Sequence, residues 1–178
     1  MTGLARVPAA FEPAGKRPRR SGKFALRFWS VRHARLLERV YAMFERALIG
    51  SAPLLKRIGF ERLEKPVAAV ERVTKGALFD CRMCGQCVLS STGMSCPMNC
   101  PKNLRNGPCG GVRANGNCEV YPEMPCVWVE AWKGSQRLRH GTRAMAQIQP
   151  PIDHRLKGRS SWLVIARGEH SSNTSRLS

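Results

Sequence analysis

The chain has 178 residues, 43% of them hydrophobic, and carries 30 Lys and Arg against 12 Asp and Glu, a formal net charge of +18. That length suits one compact domain with tails, and it excludes a (β/α)₈ barrel within these residues, since that fold needs about 200 or more. No apolar run reaches the roughly 18 residues of a spanning helix, so membrane insertion is not expected.

Residues 1–22 are rich in Pro, Gly, Ala and basic side chains without periodicity, and read as a disordered basic arm. Arg19-Arg20-Ser21 has a twin-arginine look, but Arg27 interrupts the apolar patch that follows, so no export signal is expected. A cytoplasmic, reducing location is the resulting expectation. A helical segment is predicted over 23–80. Within it Leu37, Val40, Tyr41, Phe44 and Leu48 recur at helical spacing on one face. Gly50 is expected to stop this helix, Ser51 to cap a short second one with Pro53 in its first turn, and Gly59 to end that. A third helix is predicted from Pro66 to Leu78, leading straight into Cys81. Residues 81–126 read as loops, with turn signals at Asn106-Gly107-Pro108 and Asn115-Gly116, and with Val112–Arg113 and Cys118–Val120 as a small hairpin. A helix over 127–141 carries Trp128 and Trp132 one turn apart. Residues 142–178, with a short apolar run at Trp162–Ile165, read as an irregular C-terminal tail.

All eight cysteines fall between Cys81 and Cys126. This stretch has no long apolar run, so coordination must supply the stability that burial does not. In a reducing compartment such cysteines point to metal rather than disulfides. The series Cys81, Cys84, Cys87, at two-residue intervals, places three thiolates on three corners of one cubane, and Cys100 is followed by proline as the remote ligand of bacterial ferredoxins is. Structural zinc draws cysteines in pairs from separate knuckles and fits this series less well, although zinc in one site stays open. Eight thiols make two four-thiolate sets. Cys81, Cys84 and Cys87 share one. Cys96, Cys100, Cys109, Cys118 and Cys126 supply its fourth ligand and any second site. Gly85, Gly110 and Gly111 are expected to let backbone N–H groups reach the sulfurs.

Other chemistry is poorly represented. His33, His140, His154 and His170 lie at no ligand spacing and read as solvated or capping residues. No phosphate loop, dinucleotide fingerprint or Ser/His/Asp set is present, so no catalytic residue and no flavin site is assigned to this chain. The charge would suit nucleic acid, but residues 81–126 hold only four Lys and Arg, with Tyr121 and Trp128 as nearby stacking aromatics. Nucleic acid is therefore not expected as a partner.

The residues that carry a family resemblance are Phe79-Asp80-Cys81-Arg82-Met83-Cys84-Gly85-Gln86-Cys87-Val88-Leu89-Ser90, Cys96-Pro97-Met98-Asn99-Cys100-Pro101-Lys102, Arg105-Asn106-Gly107-Pro108-Cys109-Gly110-Gly111 and Asn115-Gly116-Asn117-Cys118-Glu119-Val120, continuing through Pro122 and Cys126-Val127-Trp128. Together they resemble the methylenetetrahydrofolate reductase C-terminal family, over roughly 65–135. The resemblance implies a cysteine-rich small subunit that works beside a flavin-containing reductase barrel in one-carbon metabolism. It implies iron–sulfur, one or two 4Fe–4S clusters, with zinc as an alternative in one site. The implied partners are that reductase subunit and an electron-donor protein. The expected fold is a small α-rich domain with a loop-built, metal-stapled cysteine module and little β structure. Two alternative functions are a zinc-stapled interaction domain without redox role and a basic nucleic-acid-associated metal protein.

Overall fold

The computed structural model describes residues 24–168, so the basic arm expected over 1–22 lies outside the described residues, as do residues from 169 onward. Helices α1 (Ala25–Arg32) and α2 (Ala34–Gly50) form one run broken at His33. The Ser30 hydroxyl donates back to the carbonyl of Leu26 at 3.0 Å and across the fold to that of Leu78 at 2.8 Å. Back-bonding of this kind bends a helix. The second bond ties α1 to the end of the helix that leads into the cysteines. Ser30 is fully buried, and its small size lets α1 approach α4 closely, while Ala34, fully buried at the start of α2, packs in one cluster with Phe79.

Helix α3 (Ala52–Ile58) has Pro53 in its first turn and stops at Gly59, where φ is +99°. Ser51 does not cap it. Its hydroxyl turns back and donates to the carbonyl of Leu48 at 2.9 Å. Helix α4 (Phe60–Phe79) starts at Phe60 rather than Pro66 and carries that proline inside it. The missing N–H forfeits one bond, to Arg62, and a helix of 20 residues packed on α1, α3 and α7 absorbs the loss. It ends on Asp80, left-handed at φ 51°, whose N–H bonds the carbonyl of Gly76 at 3.0 Å. This left-handed cap hands the chain directly to Cys81.

Beyond the cysteines, α5 (Val127–Ser135) is shorter than the expected 127–141, and α6 (Gly141–Met145) begins where α5 was to end. Leu138 turns inward between them, 5% exposed. The irregular tail expected from 142 is corrected by α6 and by α7 (Ser161–Ala166), which packs against both α2 and α4. Leu163, Val164 and Ile165 are buried there, each worth about 1.5–3 kcal/mol. Ser160 caps α7, its oxygen accepting from the Leu163 N–H at 3.3 Å. Strand structure among the described residues is confined to two isolated antiparallel bridges, Val112 with Cys118 and Asn117 with Pro125. The expected hairpin is reduced to these. The domain is α-rich with almost no strand, as expected.

The predicted stripe of α2 is split between two sides. Leu37, Tyr41 and Leu48 are half-buried, while Val40 is 54% exposed and Phe44 37%. Leu36, Val40 and Met43 form the outward apolar line. Among the described residues no helix is long and apolar enough to cross a membrane.

Candidate metal centre

The loop leaving α4 is folded tightly. Met83 (φ 48°) and Gly85 (φ 74°) are both left-handed, which curls the backbone between Cys81 and Cys87. A non-glycine residue such as Met83 holds that conformation only when its surroundings fix it. Here the carbonyl of Met83 accepts from the Gly158 N–H at 2.7 Å. Gly85 abuts the backbone of Leu156 so closely that a Cβ would collide with it. The C-terminal segment therefore clamps the cysteine loop from outside.

This folding brings four thiols to one cavity: Cys81, Cys84, Cys87 and Cys96. Met83, Val88, Leu89 and Met98 form its apolar wall, as a sheath against water requires. Of the five cysteines left open as the fourth, Cys96 is the one that lines this cavity. Cys100 sits in a different buried cluster, with Cys126, Trp128 and Ala131. None of the eight cysteines is in a disulfide. Among the described residues no three His, Cys, Asp or Glu side chains close on a common point as ligands of a single metal ion.

The backbone serves the sulfurs as well. Met83 N–H points at Cys81 Sγ at 3.4 Å, and Gly111 N–H at Cys109 Sγ at 3.4 Å. Burial pushes the Cys96 thiol up to about 12, with the neighbouring Cys81 adding to the rise and the Met98 N–H opposing it. Burial likewise raises Cys81, against the pull of the Met83 N–H. Such thiols stay protonated near neutral pH unless a cation takes the proton's place, and a metal ion is such a cation.

Asn99 pins the Cys96 loop. Its Nδ2 donates to the carbonyl of Phe79 at 2.9 Å, and its Oδ1 accepts from Arg82 Nε at 3.1 Å. One buried amide thereby holds the segment carrying Cys96 and Cys100 against the exit of α4. Beside the cavity, Glu71 and Lys75 lie one turn apart on α4, both almost fully buried, with 2.7 Å between Lys75 Nζ and Glu71 Oε1. Lys75 also donates to Ser161 Oγ at 2.8 Å, and Ser160 donates to Glu71 Oε2 at 2.6 Å. Burial alone would lower the Lys75 ammonium. The neighbouring Cys87 sulfur and the Glu71 carboxylate outweigh it, and the group is raised. Arg105, 9% exposed, reaches the same cavity. Its Nη2 donates to the carbonyl of Gln86 at 3.2 Å, while Nε and Nη1 meet no acceptor among the described residues.

The other four cysteines do not line this cavity. Cys118 N–H bonds the carbonyl of Met124 at 2.8 Å, and Cys126 N–H that of Gly116 at 3.0 Å, so the chain doubles back between them. Cys100, Cys118 and Cys126 are buried and Cys109 is exposed. Cys109 Sγ stands 3.8 Å from Glu119 Oε1, and Glu119 is paired with Lys102. Of the expected glycines, Gly85 lines the first cavity and Gly111 supplies the N–H at Cys109, while Gly110 (φ 79°) borders open space. Asn99, Arg105, Lys75 and Glu71 were not singled out by sequence spacing. Their roles depend on which loops meet, and no periodic pattern signals that.

Comparison with curated proteins and with solved structures gives no match. The profile of the family described as methylene-tetrahydrofolate reductase C terminal matches residues 60–155, more than half of the chain, from the start of α4 through the cysteine module and α6, ending just before Leu156. The chain belongs to the methylene-tetrahydrofolate reductase C-terminal family.

Proposed function

We propose that this chain is the iron–sulfur accessory subunit of a methylenetetrahydrofolate reductase, working in the cytoplasm beside a flavin-containing partner. The observation that carries the reading is the convergence of Cys81, Cys84, Cys87 and Cys96 on one apolar-walled cavity. The donor set is right for a cubane, with four thiols of which three come from one tight loop. The cavity also holds guanidinium donors of Arg105 that lack acceptors, which four thiolates would provide. A 4Fe–4S cluster held there supplies one-electron storage, and the chain's part is to position it, exclude water and set its potential. Taking Cys96 into the first set leaves Cys100, Cys109, Cys118 and Cys126 for a second site, of iron–sulfur or of zinc.

The family membership supports the choice of partner. The outward line Leu36, Val40 and Met43 on α2 is the docking face we assign to it. Of the two tryptophans one turn apart on α5, Trp128 is buried beside Cys100 and Cys126, whereas Trp132 is 47% exposed. Electrons pass between a donor protein and the partner's flavin. The experiment is affinity purification of the full chain from its native host, with Val40→Asp as a comparison. The expected result is recovery of a flavin-containing reductase with the unaltered chain and several-fold less with Val40→Asp, at equal metal content. Failure of the unaltered chain to retain any such reductase, which reduces the folate equally well without it, contradicts the accessory role.

A further inference from the structure

Lys75 and Arg105 both border the four-thiol cavity, but they differ in one respect. Lys75 is neutralised locally, with Glu71 Oε1 at 2.7 Å and Ser161 Oγ at 2.8 Å. Arg105 has no carboxylate partner in any ion pair found among the described residues. It spends one nitrogen on the carbonyl of Gln86 and leaves Nε and Nη1 buried without acceptors. A guanidinium keeps its proton in proteins, so this is a buried positive charge with free N–H donors. Leaving such a group uncompensated is strongly unfavourable. An anionic acceptor at the cavity resolves it. Four thiolates on a 4Fe–4S core carry net negative charge and present sulfur lone pairs on every side.

We propose that Arg105 is a positioning residue for the cluster, donating Nε–H and Nη1–H to its sulfur atoms and raising its reduction potential. This rests on the iron–sulfur reading of the cavity. Reduction adds one electron, and no bond is made or broken at Arg105. The reduced state carries one more negative charge than the oxidised state. A fixed cation with two donors therefore stabilises the reduced state more, and hydrogen bonds to sulfur act in the same direction. Gln86 anchors Nη2 through its carbonyl, and is itself fixed by its side-chain Oε1, which accepts from the Asp153 N–H at 3.1 Å.

The test uses the full chain purified anaerobically, as wild type and as Arg105→Met. Iron and sulfide are counted first, and the midpoint is then read by EPR-monitored redox titration. The expected result is equal cluster content and a more negative midpoint for Arg105→Met. At the wild-type midpoint its reduced-to-oxidised ratio falls tenfold or more, a shift of about 59 mV for one electron. A fully loaded Arg105→Met with an unchanged midpoint overturns the proposal and leaves the cluster reading standing. Wild type without iron or sulfide overturns the cluster reading itself. A second measurement avoids any dependence on the variant's folding. Wild type labelled with ¹⁵N-arginine is expected to show nitrogen hyperfine coupling to the reduced cluster, and absence of that coupling overturns the assignment.

Discussion

Cys96 and Cys100 are four residues apart, yet Cys96 lines the cavity of the Cys81 loop and Cys100 packs in a different buried cluster. The short Pro97–Asn99 turn between them reverses the chain, with the Asn99 N–H bonding the carbonyl of Cys96 at 3.1 Å and the Cys100 N–H that of Pro97 at 3.0 Å. Cys96 is left facing the Cys81 loop and Cys100 facing Trp128. Under our proposal, Cys96→Ser lowers iron and sulfide to the same extent as Cys84→Ser, while Cys100→Ser leaves the Cys81 site loaded. The reverse pattern in metal and sulfide analysis contradicts the ligand assignment. Asn99 is the second residue that matters at this scale. Asn99→Ala removes two hydrogen bonds and strands the carbonyl of Phe79, while the exposed Arg82 keeps Asp80 and solvent. A loss of about 1–3 kcal/mol in denaturant unfolding of the metal-loaded protein is expected. Neither residue's role was legible from the sequence. The spacing Cys81-x2-Cys84-x2-Cys87 placed three thiols at one site because a tight loop fixes them locally, and they do line one cavity. Which further cysteine joins them at the cavity depends on the Pro97–Asn99 turn, held at the exit of α4 by Asn99, and the sequence left it open among five.

At the level of elements, periodic segments were readable and short docked ones were not. The helical run of α2 is long enough for its period to show. The stops at Gly50 and Gly59 follow from glycine chemistry alone. The six residues of α7 are too few to establish a period, and the helix forms because Ser160 caps it and α2 and α4 cover it. The exposed and inward sides of α2 were confused for a related reason: α7 decides which side is covered. Close packing at glycine was likewise invisible. Gly134 of α5 meets the backbone of Gly93 so closely that a Cβ at either position would overlap the other's main chain. Gly134→Ala is expected to cost about 1–3 kcal/mol through this overlap, read as a lowered thermal midpoint. Gly76, inside α4, has nothing within 4 Å of its would-be Cβ. Gly76→Ala is expected to stabilise by about 0.5–1 kcal/mol, because alanine loses less backbone entropy in a helix. Equal effects of the two substitutions in the same melting experiment contradict this account of the packing.

For the whole molecule, the helices α1, α2, α4 and α7 form a packed frame, and the segment 81–126 is a loop module hung on it. The frame is held by apolar burial and by the Glu71–Lys75 pair with Ser160 and Ser161. The module shares with α2, α4 and α5 two small apolar clusters, each containing cysteine sulfur. Ligation energy in such a site is folding energy, so the module's order and its metal content are expected to stand or fall together. The most direct measurement is iron, zinc and acid-labile sulfide analysis of the full chain purified anaerobically from its native host. The account predicts a brown protein with iron and sulfide in near-equal amounts, filling at least the Cys81, Cys84, Cys87 and Cys96 site. A protein that carries zinc alone, without sulfide, contradicts it.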